Sequence, residues 1–134
     1  MPTTLTILDR STLNLKAKPE QTFTLVCPEP NLTVRELIRL RVWQEVDAYN
    51  QQQGEYFSGL VQPGDAERTL NGYKMRRPRQ IDAQKQYELA QQAFEQNGFI
   101  ILIGDRQAES LDGVIVLEQT SEVTFLKLVQ LVGG

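Results

Sequence analysis

The 134-residue chain contains no histidine and one cysteine, Cys27. The missing histidines remove the commonest general base and every imidazole metal ligand. A lone cysteine forms no internal disulfide, which suits a reducing compartment. No apolar run approaches the ~18 residues of a membrane span. The opening "MPTTLTILDR" lacks the charged region and apolar stretch of a secretory signal. A cytoplasmic protein with no membrane partner is therefore expected. Positive charge is not in excess either: 14 Lys and Arg face 17 Asp and Glu, a net charge of −3. That balance argues against nucleic acid as a partner. There is no Gly-Lys-Ser/Thr loop and no cysteine cluster, and "GDRQAES" has a single glycine with no lysine after it. Nothing in this inventory supports an enzyme, a bound cofactor or a metal site.

What is present begins with alternation. "TLTILD" sets Leu5 and Ile7 on one face, "TLNLKA" does the same with Leu13, Leu15 and Ala17, and "TFTLVC" with Phe23 and Leu25. A period of two marks a half-buried strand. "KPEQ" between the second and third segments reads as a hairpin loop, with Pro19 presetting a turn position. The expectation is a hairpin of 12–17 and 21–27, with 3–9 either an extra strand or a replacement for 12–17. "CPEPN" then breaks the strand, because proline donates nothing to a ladder.

Thr33 and Glu36 have the spacing of a capping box. Val34, Leu37, Ile38, Val42, Val46 and Tyr49 follow at threes and fours, predicting a helix over about 33–50. Leu40 and Trp43 lie beside that stripe and read as a wider core face rather than a bare contact. Residues 51–81 have no sustained period and are punctuated by glycine and proline. Their Tyr56, Phe57, Leu60, Val61, Leu70 and Tyr73 are too apolar for a disordered linker. An ordered excursion over 51–97 is expected, with Phe57 in a satellite core and Leu60 left open. It ends in a second helix of about 82–97, with Asp82 as N-cap, Gly98 as the C′ residue and Ala83, Tyr87, Ala90 and Phe94 as its stripe.

Strand signals then return. "FIILI" (99–103) is a continuous apolar run, the mark of a strand buried on both faces. "GDRQ" is a turn, 114–117 a brief apolar segment, and "VTFLKLVQ" a last strand running into "LVGG". If Val123 and Phe125 take the core face in that strand, Leu126 and Leu128 turn outward, either open or covered by the excursion. The order of strands, helix, excursion, helix and strands makes an α+β domain of 1–134 with 51–97 as an insertion.

With 51–97 set aside, the order is hairpin, capped helix, apolar strand, turn, short strand, last strand and Gly-Gly. This resembles ubiquitin and the ubiquitin-like β-grasp proteins, most closely over 99–134. Gly104 matches the turn glycine, Leu111 and Asp112 the "L-x-D" pair, and Leu131, Gly133 and Gly134 the Leu-x-Gly-Gly tail. The 51–97 insertion has no counterpart in ubiquitin, and Gln130 and Val132 stand where ubiquitin has arginines. Small bacterial ubiquitin-like proteins with their own activating and conjugating enzymes are the nearest analogy.

The resemblance implies a β-grasp fold and a protein modifier. Its Gly134 carboxylate would be adenylated by an E1-like activating enzyme that consumes ATP, and then passed to a cysteine as a thioester. An E2-like conjugating enzyme would transfer it to a protein target, and an isopeptidase would remove it. Leu131, Val132, Gly133 and Gly134 would form the activation tail, Gln130 would help select the partner, and Leu126 and Leu128 would form an outer recognition patch. Glycine suits such a tail because a backbone without Cβ fits a narrow channel and leaves its carbonyl open to attack. If Gly134 is the final residue, no processing protease is needed. Two alternatives stay open: a sulfur carrier through a C-terminal thiocarboxylate, and a non-covalent β-grasp module.

The remaining features have plain readings. "KMRRPR" (74–79) concentrates four cations in six residues and reads as a solvated loop paired with the acids of 82–95, or as a contact for an acidic partner surface or a phosphate backbone. The lysines at 16, 18, 74, 85 and 127 are ordinary surface positions or acceptors for a further copy. Cys27 reads as a small residue near a strand end.

Overall fold

The computed structural model describes residues 3–12, 18–69, 72–77, 79–117 and 122–128. In chain order its elements are β1 (Thr3–Ser11), β2 (Gln21–Cys27), β3 (Asn31–Thr33), α1 (Val34–Gln52), β4 (Tyr56–Phe57), β5 (Ala66–Thr69) and β6 (Gly72–Met75). There follow α2 (Ala83–Glu95), β7 (Phe99–Ile103), β8 (Arg106–Gln107), β9 (Val114–Val116) and β10 (Glu122–Lys127). The protein is α+β, with two helices and a mixed five-stranded sheet of order β2-β1-β10-β7-β8. The chain divides into two compact units: residues 1–37 with 93–134, and residues 38–92.

In the first unit, β1 is an antiparallel partner of β2, with Leu5 opposite Leu25 and Ile7 opposite Phe23. Thr12 is already a turn residue, and 13–17 lie outside the described residues. Both segments alternate, so pattern alone did not separate them. Residues 6–11 of β1 serve a second ladder as well, running parallel to β10 with Ile7 opposite Val123 and Asp9 opposite Phe125. Leu5, Ile7, Leu25, Ile101, Val123 and Phe125 all have 1% exposure or less. Phe99 packs between Phe94 and Phe125, with ring centroids 6.0 and 5.9 Å away. Such pairs contribute about 0.5–1.5 kcal/mol each beyond their buried area.

Strand β7 corrects one expectation. Phe99 and Ile101 are buried, but Ile100 and Leu102 are only half-buried, so the run is not sealed on both faces. It leads into β8 through Gly104, whose φ of +60° opens a two-residue turn closed by the pairing of Ile103 with Arg106. Residues 31–33, just past the prolines that end β2, pair with β9 as a small second sheet. There Leu32 and Ile115 point inward while Val114 is 62% exposed.

Helix α1 begins where its capping spacing places it. The Glu36 amide donates to the Thr33 hydroxyl at 3.1 Å, and the six stripe residues are all buried. Leu40 and Trp43 are half-buried rather than part of the core. Asp82 caps α2 by accepting from the Lys85 amide at 3.2 Å. At the other end Asn97, not Gly98, is the C′ residue: its φ is +61°, and Gly98 follows as C″, donating to the Ala93 carbonyl at 2.7 Å. Asparagine tolerates the left-handed region, so the glycine was not needed there. The buried face of α2 also departs from its expected stripe. Gln86, Ala90 and Phe94 are buried, while Ala83 and Tyr87 are half-buried.

The second unit holds a three-stranded sheet of order β4-β6-β5. Phe57 and Leu60 are buried at 2% and 4% exposure, which settles Leu60 as interior. Among the described residues no helix is long and apolar enough to cross a membrane.

Candidate functional site: the outer sheet face and the chain exit

The alternation of β10 splits its residues between two sides. Val123 and Phe125 are fully buried; Thr124 and Leu126 take the opposite face and are half-buried. Register then names the neighbours on that outer face. Leu126 is opposite Ile100 on β7 and Arg10 on β1, and Thr124 is opposite Leu102 and Leu8. Leu8, Ile100 and Leu102 are half-buried in their turn. Leu128, just past the strand, is 38% exposed. Leu126 and Leu128 therefore belong to a broader apolar face whose other members the sequence reading missed. The signal was available in principle. Alternation in β10, transferred through its pairing to β7, turns Ile100 and Leu102 outward; without the register, "FIILI" is ambiguous.

The chain leaves β10 from a fixed point. The Lys127 carbonyl accepts from the Thr12 amide at 3.0 Å, and the Leu128 amide donates to the Gly98 carbonyl at 3.1 Å. Gln130, Leu131, Val132, Gly133 and Gly134, the expected partner-selecting residue and tail, lie outside the described residues.

The same unit also carries a cleft of about 560 Å³ lined by Val34, Ile103, Arg106, Glu109, Ser110 and Val114, among others. The start of α1 contributes no free donors to it. Val34 and Arg35 donate their amides to the Gly113 and Leu111 carbonyls at 2.9 Å each, and Glu36 to Thr33. Leu111 is buried. Asp112 is exposed and pairs with Arg35 at 3.0 Å, and the Ser110 hydroxyl accepts from the Asp112 amide. Among the described residues no group of three or more acidic or cysteine side chains is placed to hold a metal ion. Cys27 is buried, and burial pushes its thiol pKa up, which keeps it protonated and weakly nucleophilic. No known family model matches the chain, and no curated protein or solved structure is significantly similar to it.

Proposed function

We propose that this chain is a ubiquitin-like β-grasp modifier, activated and conjugated through the carboxylate of Gly134. The observation that carries the reading is the order β2-β1-β10-β7-β8, with the first and last strands parallel at the centre of the sheet. An edge hairpin, a capped helix after it and a central last strand are the arrangement expected of a β-grasp. Fold alone does not fix function. The second support is therefore the exit of β10 beside Thr12 and Gly98, six residues before Gly134. Six extended residues reach at most about 20 Å, enough to project a tail from a rigid base.

In this reading the activating enzyme joins the carboxylate to AMP and releases pyrophosphate from ATP. Its cysteine thiolate then displaces AMP to give a thioester. An amine on the target attacks that carbonyl, the thiolate leaves, and an amide forms. Gly133 and Gly134 keep the carbonyl open, Leu131 anchors the tail, and Gln130 biases the choice of activating enzyme. The outer face around Leu126, Leu128 and Ile100 is the contact surface for the pathway's enzymes.

The test is to incubate the protein with its cognate activating enzyme and ATP, and to follow a thioester that reducing agent cleaves. Removal of Gly133 and Gly134 is expected to abolish it. A product in which one sulfur replaces one oxygen assigns the chain to sulfur carriage. Full function after removal of the two glycines makes it a non-covalent module. The reading also requires that the protein isolated from cells end at Gly134, which its intact mass reports.

A further inference from the structure

The two units differ in charge. Residues 1–37 and 93–134 carry six Lys and Arg against ten Asp and Glu, a formal charge of −4; residues 38–92 carry eight against seven, +1. The cations of the second unit cluster late. Over 66–79 there are Arg68, Lys74, Arg76, Arg77 and Arg79 against the single carboxylate of Glu67. Pairing of 74–79 with the acids of 82–95 was expected, and the contacts of Lys74 and Arg79 run elsewhere. The Lys74 ammonium lies 3.7 Å from Glu55, and the Arg79 guanidinium donates to the Gly64 carbonyl. Met75 is buried at 4% exposure, with its amide bonded to the Glu55 carbonyl at 2.9 Å. Arg76 and Arg77 are exposed, and among the described residues neither has a hydrogen bond or an ion pair.

The segment is therefore pinned on both sides while its two adjacent guanidiniums stay in solvent. We infer that Arg76 and Arg77 form a docking site for an acidic segment of a partner protein. Two neighbouring like charges are relieved when a carboxylate lies between them. A guanidinium takes a carboxylate through two parallel hydrogen bonds, which an ammonium does not. Because β6 and the Met75 amide bond to Glu55 fix the backbone just before the pair, less ordering remains for binding to impose. Two open cations suit a short carboxylate-bearing segment. A nucleic-acid backbone would need a wider basic field than two cations in a chain whose net charge is −3. This inference stands apart from the modifier reading and survives its failure.

The full chain is titrated against a rhodamine-labelled oligo-glutamate peptide by fluorescence anisotropy, at low and at physiological ionic strength. Arg76→Gln with Arg77→Gln is compared with a charge-matched control in the first unit, Lys18→Gln with Arg106→Gln. These four residues are exposed, and circular dichroism checks that each variant is folded. The patch variant is expected to bind about tenfold more weakly than wild type, and the control within about twofold. Equal weakening in both variants would mean that only net charge matters and would overturn the inference. So would undetectable binding by the wild type, or tighter binding of an oligothymidylate. Wild-type self-association that the patch variant abolishes would put a second copy in the site and would overturn it too.

Discussion

The interior of residues 1–37 and 93–134 is filled at its centre by Leu5, Ile7, Leu25, Ile101, Val123 and Phe125. Residues 38–92 bury Arg41 completely, with its guanidinium 3.3 Å from the Glu45 carboxylate, itself only 7% exposed. The same carboxylate accepts the Leu60 amide at 3.2 Å. Side chains reach backbone elsewhere in this unit. Asn50 donates to the Ile81 carbonyl at 3.0 Å and accepts the Ile81 amide at 2.8 Å. Gln86 donates to the Val61 carbonyl at 3.1 Å, and the Tyr49 hydroxyl to that of Gly54 at 3.1 Å. One region satisfies its backbone mainly through strand ladders and, Asp9 and Ser11 apart, fills its interior with hydrocarbon. The other has short strands and long connections, so polar side chains must satisfy groups that no ladder reaches.

The largest expected effect tests that contrast. Glu45→Ala leaves the Arg41 charge buried and the Leu60 amide without its acceptor, and is expected to cost about 3–5 kcal/mol. Phe125→Ala in the first unit should cost a similar 3–5 kcal/mol, through a cavity instead. The two separate on rescue. Arg41→Met combined with Glu45→Leu removes both charges and should recover most of the loss, as buried pairs replaced by apolar groups often do. Urea denaturation reads all four proteins. A loss below about 1 kcal/mol for Glu45→Ala would show that the pair does not hold this unit together.

The same contrast explains what was legible in the sequence. Hydrocarbon interiors leave periods, so β2, β10 and the buried stripe of α1 could be read directly, and β1 as a strand though not as the partner of β2. The caps at Thr33 and Asp82 and the turn at Gly104 were legible because their chemistry is local. Interiors built from polar contacts leave no period. Arg41 reads as one more charge on a helix, Gln86 as part of a polar face, and the partners of Asn50 and Glu45 lie 31 and 15 residues away. The breadth of the outer face at Leu126 escaped for a related reason: the alternation is local to β10, whereas Ile100 and Leu102 join it only through register.

A middle-sized effect asks whether the excursion depends on single polar contacts. Asn50→Ala removes two hydrogen bonds to one residue and leaves both Ile81 backbone groups without them. A loss of about 1–3 kcal/mol is expected, with faster hydrogen exchange at the Ile81 amide. Exchange at Ile101 in the first unit should change less, because its ladder partners are untouched. Equal acceleration at both amides would mean that the two units open as one, which would erase the distinction for folding.

The smallest effect is a pH dependence, with one titrating group in each unit. Burial pushes the Cys27 thiol above its ordinary 9.0. Burial is also the main cause that pushes the Tyr73 phenol above 10.0; Arg68 opposes it, Glu45 adds to it, and Arg41 opposes it less. In both cases the folded protein holds a proton at a pH where the unfolded chain has begun to release it. Unfolding then releases protons, so stability falls as pH rises. The loss from Cys27 opens near pH 9, that from Tyr73 near pH 10, and each ends once the folded group has ionised as well. Cys27→Ala should flatten the first window and Tyr73→Phe the second, in urea midpoints taken at closely spaced pH values. The slopes decide the matter rather than absolute stability, since both substitutions also change packing. A Tyr73→Phe protein that keeps the wild-type slope above pH 10 would mean that the phenol is as well hydrated in the folded unit as in the open chain, which would deny this region a sealed interior around its ion pair.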